Sequence, residues 1–198
     1  MRLQLLSDLH LETESYDPEP APDAELLVLA GDIDAGWDAL ARFRGWPQPV
    51  VFVAGNHEYD GRDVDASTAA LRDVCASHGI TMLERDRLVV SDADGARIRI
   101  VGTTRWSDFD LFGVVGRAKA MRAGSYFMDL MQATQAEPAN RLTHVVGAAD
   151  KADHPFDFYR AFGGVLLVCR HRASPAACSV FFSRPVISST VLVRVSAT

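Results

Sequence analysis

Three apolar runs near the N-terminus share one form: each is a few residues long and stops abruptly at polar, turn-forming residues. Residues 3–6 give way to Ser7-Asp8-Leu9-His10, residues 26–30 to Gly31-Asp32-Ile33-Asp34, and residues 50–54 to Gly55-Asn56-His57-Glu58. Continuous apolar runs bounded by turn signals predict strands buried on both faces, as in an α/β layer protein. Trp37, Leu40, Ala41 and Phe43 recur at near-helical spacing and predict a short crossover helix before Gly45 and Pro47. Residues 66–77 put Leu71, Val74 and Cys75 on one face and end at His78-Gly79, a helix with a glycine stop. A strand follows at 80–83. Residues 88–91 and 98–101 form a predicted hairpin whose Asp94-Gly95 pair supplies the turn. Residues 116–135 predict an amphipathic helix with Ala120, Met121, Phe127, Met128 and Met131 as candidate core positions. Beyond Pro138 the periodicity is poor, and 165–169, 179–182 and 190–195 are strand-like without a clear frame. The stretch Pro18-Glu19-Pro20-Ala21-Pro22 reads as a surface loop joining the first two strands.

Composition changes this picture in one respect. A length of 198 residues, 48% hydrophobic and 23% charged, is that of one domain with a buried core. A net charge of −6 argues against affinity built on neutralising the phosphates of duplex nucleic acid. The average conceals a break, however, because every acid lies at or before Asp157. Residues 1–157 carry a net −11, whereas residues 158–198 hold five arginines, no lysine and no acid. The expectation is a domain over 1–157 followed by an atypical basic tail over 158–198. Of two origins for that tail, a longer protein cut short or read out of frame is favoured over a natural variant whose short strands complete a sheet edge. Cys75, Cys169 and Cys178 cannot all pair with one another, and none forms a Cys-x-x-Cys arrangement. A reducing, cytoplasmic setting is therefore expected, with no signal peptide, membrane span or membrane partner.

The chemistry collects where the strands stop. Ligands of α/β sheets gather outside the carboxyl ends of the strands, and three such ends present Asp8 and His10, then Asp32, then Asn56 and His57. The intervals from Asp8 to Asp32 and from Asp32 to Asn56 are both 24 residues. Carboxylates, an imidazole and an amide oxygen suit a borderline divalent cation such as Mn²⁺, Fe²⁺ or Zn²⁺. An aspartate between two cations can bridge them, and paired cations activate water against a phosphate ester. Taken singly, each segment is also explained as a capped turn or a glycine-assisted strand exit; their shared order and placement favour the metal reading.

Together, Asp8-Leu9-His10, Gly31-Asp32-Ile33-Asp34 and Gly55-Asn56-His57-Glu58 resemble the signature of the calcineurin-like metallophosphoesterases. The stretch Gly102-Thr103-Thr104-Arg105-Trp106-Ser107-Asp108-Phe109 is similar to one found in a bacterial subgroup of that family. The resemblance covers residues 1 to about 135. It implies a four-layer α-β-β-α sandwich, here incomplete at its C-terminus. It further implies two divalent metal ions, the first on Asp8 and His10, with Asp32 bridging and Asn56 on the second. His57 would be the catalytic histidine beside the phosphate rather than a ligand. A hydroxide between the cations would attack phosphorus, and an imidazole near its working pKa would protonate the leaving oxygen. The family's second-half histidines are missing or displaced. Arg170 stands where one ligand belongs, His171 alone survives there, and no histidine follows it, so the second metal site is expected to be the weaker. His78, His144 and His154 read as surface residues. The expected function is hydrolysis of a small phosphomonoester or phosphodiester, impaired in this form; the alternative is a non-catalytic metal- or phosphate-binding remnant. Specificity would come from loops 12–23 and 106–117.

Overall fold

The computed structural model describes residues 1–93, 95, 97–104, 113 and 116–122, together with the backbone of 164–170 and 191–194. Strands β1 (Arg2–Leu6), β2 (Leu26–Ala30), β3 (Val50–Val53) and β4 (Ile80–Met82) lie parallel in the order β4-β3-β2-β1. The remaining strands are β5 (Asp86–Ser91), β6 (Arg97–Thr104), β7 (Gly164–Arg170) and β8 (Val191–Arg194). β8 closes the other side of β1 in the antiparallel sense, pairing Leu5 with Val191 and Arg2 with Arg194. A second, antiparallel sheet runs β5-β6-β7. Two strands of the basic tail thus join the pairing, one in each sheet; residues 179–182 lie outside the described residues.

The apolar runs form strands because both of their faces are covered. Every residue of β2 and β3 is buried. On one face, Leu27, Leu29 and Phe52 pack with Leu40 and Phe43 and with Leu71 and Cys75 of helix α1 (Val64–Ser77). On the other, Leu3, Leu5, Val28, Val51 and Val53 pack with Ile98 and Ile100 of β6, so the two sheets stack face to face. The approach is close at Gly102, where a Cβ would lie 2.6 Å from Leu83 Cβ and 2.7 Å from Val53 Cγ2. The described layers are therefore helix, sheet and sheet.

Several sequence expectations shift in detail. α1 begins at Val64 rather than 66, because the Asp63 side chain accepts from the Ala66 amide and caps the first turn; it ends as expected, at His78 and a left-handed Gly79. The crossover is a 3₁₀ helix, Asp38–Phe43, entered through Trp37 at φ 73°. The hairpin strands are longer than predicted, with Gly95 at φ 77° in the turn. Residues 116–122 are helical, and the rest of the predicted 116–135 helix lies outside the described residues. The proline-rich loop is pinned rather than free. Gln4, fully buried in β1, donates to the Glu19 carbonyl at 2.8 Å and accepts from the Ala21 amide at 2.9 Å. Among the described residues no helix is long and apolar enough to cross a membrane.

Candidate metal centre

The loops leaving β1 and β2 remain bonded beyond the strands. The Asp8 amide donates to the Gly31 carbonyl, the His10 amide to Asp32, and the Leu11 amide to Ile33, at 3.0, 3.1 and 2.9 Å. The side chains are aimed by unusual backbone: Asp8, His10 and Asp32 have φ of 53°, 46° and 53°. They are three of six non-glycine residues with positive φ among the described residues. Each such residue costs on the order of 1 kcal/mol, a strain that clusters at functional sites. The result is convergence: Asp8, His10 and Asp32 each offer a donor atom, and these atoms lie within 4.8 Å of one another. Asp8 and His10 are half-buried, and Asp32 is buried. Two carboxylates and an imidazole at this separation fit a borderline divalent cation.

The third loop wraps Asp32. A Cβ on Gly55 would fall 2.2 Å from Asp32 Oδ1, and the His57 amide donates to the same oxygen at 3.0 Å. Asn56 sits between these two in the chain, at the entry to the 3₁₀ turn His57–Tyr59. The His57 ring stands edge-on to that of His10, centroids 4.9 Å apart and planes at 76°. Its Nδ1 meets Asp60 Oδ2 at 2.8 Å. Asp8, His10 and Asp32 thus come together at the carboxyl end of the parallel sheet with the His57 ring beside them, and Asn56 precedes His57 in the chain. His78 does not: it bonds Arg44 at the far end of α1. His144, His154, His171 and most of loop 106–117 lie outside the described residues.

Glu58 was legible only as the last letter of a motif, and the structure gives it a role. Fully buried, it accepts from the amides of Asp32 (3.0 Å), Ile33 (2.7 Å) and Gly55 (2.6 Å), with a longer bond from Asp34 (3.4 Å). One carboxylate therefore ties the β2 loop to the β3 loop. Asp34 is taken up otherwise, capping the Gly36 and Ala39 amides. Trp37 Nε1 donates to the Glu58 carbonyl, and Arg62 stacks 4.3 Å over the Trp37 ring while Nη1 binds the Ala35 and Asp60 carbonyls. Glu12 and Asp60 also escaped sequence reasoning. Their signal was an acid two or three residues after each histidine.

Burial drives most of the electrostatics. It pushes the Glu58 carboxyl up to about 7, with the Asp32 charge adding and the backbone amides opposing. Asp32 is also raised by burial, against the His57 amide bond and with the Asp8 charge. Burial works to lower the His57 imidazole, yet the Asp60 hydrogen bond and the Asp32 charge outweigh it and leave the imidazole above its ordinary value. For Glu12, bonds from His10 and the Ala35 amide overcome burial and hold the carboxyl low.

No protein-family model matches the chain, and no curated protein matches it significantly. Among solved structures, the crystal structure of phosphopantetheinyl hydrolase from Mycobacterium tuberculosis is similar, at a TM-score of 0.47 and 21% identity, over 63% of this chain and 50% of that one. The chain thus spans about half the length of that structure.

Proposed function

We propose that this chain is a metal-dependent hydrolase of phosphate esters, acting on a small phosphomonoester or phosphodiester. One observation carries the reading: three strand-end donors, Asp8, His10 and Asp32, converge within 4.8 Å, with a partnered histidine, His57, packed against them. In this reading Asp8 and His10 would hold the first divalent cation, Asp32 would serve both sites, and Asn56 would contribute to a second, weaker site. The cations, when bound, supply Lewis-acid charge and lower the pKa of the attacking water. The chain does the rest. Asp32 is held by the His57 amide in the space that Gly55 leaves open, which fixes the carboxylate that would serve both cations. His57, with Nδ1 on Asp60, keeps Nε2 for the phosphate and is raised toward the protonated form that donates to a leaving oxygen. The complete fold in this reading is the four-layer calcineurin-like α-β-β-α sandwich. Duplex nucleic acid and membranes are not partners, and the setting is reducing and cytoplasmic, in keeping with the free thiol of Cys75.

The test is metal analysis joined to an activity panel. Purified without chelator, the chain should retain a transition metal and hydrolyse a chromogenic phosphodiester in Mn²⁺. His57→Ala should lower kcat by about 10²–10⁴-fold without changing metal content. A chain that retains no transition metal and hydrolyses no phosphomonoester, cyclic nucleotide or phosphodiester overturns the proposal and leaves the binding remnant.

A further inference from the structure

Glu12 follows the candidate ligand His10 by two residues and makes two contacts in different directions. Its Oε1 meets His10 Nδ1 at 2.9 Å, and its Oε2 accepts from the Ala35 amide of the β2 loop at 3.1 Å. The backbone of His10 is pinned separately, because its carbonyl accepts from the Thr13 and Glu14 amides at 2.8 and 2.7 Å and from Thr13 Oγ1 at 3.2 Å. The ring's torsion and tautomer are therefore the freedoms left, and Glu12 is the side chain that meets the ring nitrogen. A carboxylate only accepts, so the nitrogen facing it must carry the proton. Nε2 then holds the lone pair. Glu58 ties the β2 loop to the β3 loop from the buried side; Glu12 ties the β1 loop to the β2 loop from the solvent side.

We propose that Glu12 is a positioning residue that acts twice: Oε1 fixes His10 as the Nδ1–H tautomer with Nε2 as the metal-binding nitrogen, and Oε2 locks two ligand-bearing loops together before any cation binds. The inference rests on the metal-centre reading for its purpose but not for its chemistry, since the tautomer belongs to the metal-free chain. Carboxylates behind metal-binding imidazoles typically alter affinity by about 10–100-fold when removed. Glutamine in place of Glu12 keeps the length but offers one accepting oxygen, so while it accepts from the Ala35 amide it presents NH₂ to His10 Nδ1 and favours the other tautomer.

The experiment has two readouts. Nitrogen-15 spectra of the histidine rings in the metal-free chain, with His10→Gln to assign the signal, should show His10 protonated at Nδ1. In Glu12→Gln that signal should move toward a mixture of tautomers. Titration with Mn²⁺ alone should show Glu12→Gln binding at least about 10-fold more weakly than the parent. Glu14→Gln, which removes the same charge from the same exposed turn, should change neither readout. An unchanged His10 tautomer in Glu12→Gln overturns the proposal, and so does an equal loss in Glu14→Gln, which would make the effect one of charge alone. A parent chain that binds no Mn²⁺ sinks the metal reading, while the tautomer measurement still decides the role of Glu12.

Discussion

Gly55 lies against Asp32 so closely that a single added methyl would sit 2.2 Å from the Asp32 carboxylate and 2.6 Å from its amide nitrogen. The neighbour it would strike is a candidate ligand held from three sides, so neither can yield cheaply. Gly55→Ala should therefore displace Asp32, lowering stability by about 1–3 kcal/mol or more in urea unfolding and weakening Mn²⁺ binding. Gly45→Ala is the comparison: it is strained by φ 73° with nothing within 4 Å, and should cost about 1 kcal/mol while leaving Mn²⁺ binding intact.

Glu58 is the buried acceptor for the amides of two loops. Glu58→Ala should leave those donors without a partner, at about 1–3 kcal/mol for each that water cannot reach, and the chain should unfold at ambient temperature or nearly so. Glu58→Gln should be milder yet still destabilising, because its NH₂ faces an amide donor. Equal stability of Glu58→Gln and the parent in thermal unfolding would show that the loops do not depend on this carboxylate.

Gln4 is the only buried polar side chain of β1, and its amide is matched to the proline-rich loop. Gln4→Ala should cost about 1–3 kcal/mol and free residues 18–22 for cleavage. Limited proteolysis followed by mass measurement locates the cut; cleavage elsewhere at an unchanged rate in this segment counts against the role.

Binding of a cation to the folded chain alone must stabilise it. Mn²⁺ at a hundredfold excess over its Kd should add about 2.7 kcal/mol, and chelator should remove that gain together with the hydrolytic activity. The variant Asp8→Asn should lose most of the gain, as read by the shift in Tm.

Burial pushes the Cys75 thiol up to about 12, so at pH 8 almost none of it is thiolate. In a Cys169→Ser, Cys178→Ser chain, Cys75 should resist a thiol reagent at pH 8 in the native state and react promptly in denaturant. Its rate should rise with pH well above the ordinary thiol range.

The strand cores and the strand-end chemistry were legible because both are local. A run such as Leu26-Leu27-Val28-Leu29-Ala30 has no polar face to present, so it must be covered twice, and the place where it stops is the place where the sheet releases its polar groups. Asp8, His10, Asp32, Asn56 and His57 were read on that ground, and the structure brings donor atoms of the first three within 4.8 Å of one another with the His57 ring against His10. The boundaries were less legible, since the start of α1 depends on the Asp63 cap and the crossover on the left-handed Trp37.

What the sequence determined by itself was which candidate side chains stand at which strand ends, because residue type and period are properties of the chain. What only the tertiary structure decided was how those side chains are held. Glu58 bonds Ile33 and Asp32 across 25 and 26 residues, and Glu12 reaches Ala35 across 23. Gly55 is required by an oxygen 23 positions away in the chain and 2.2 Å away in space. The stacking of β6 on the parallel sheet likewise needs Gly102 to meet Leu83 and Val53. Such contacts depend on directions set by the folded backbone, and composition and periodicity carry no record of direction.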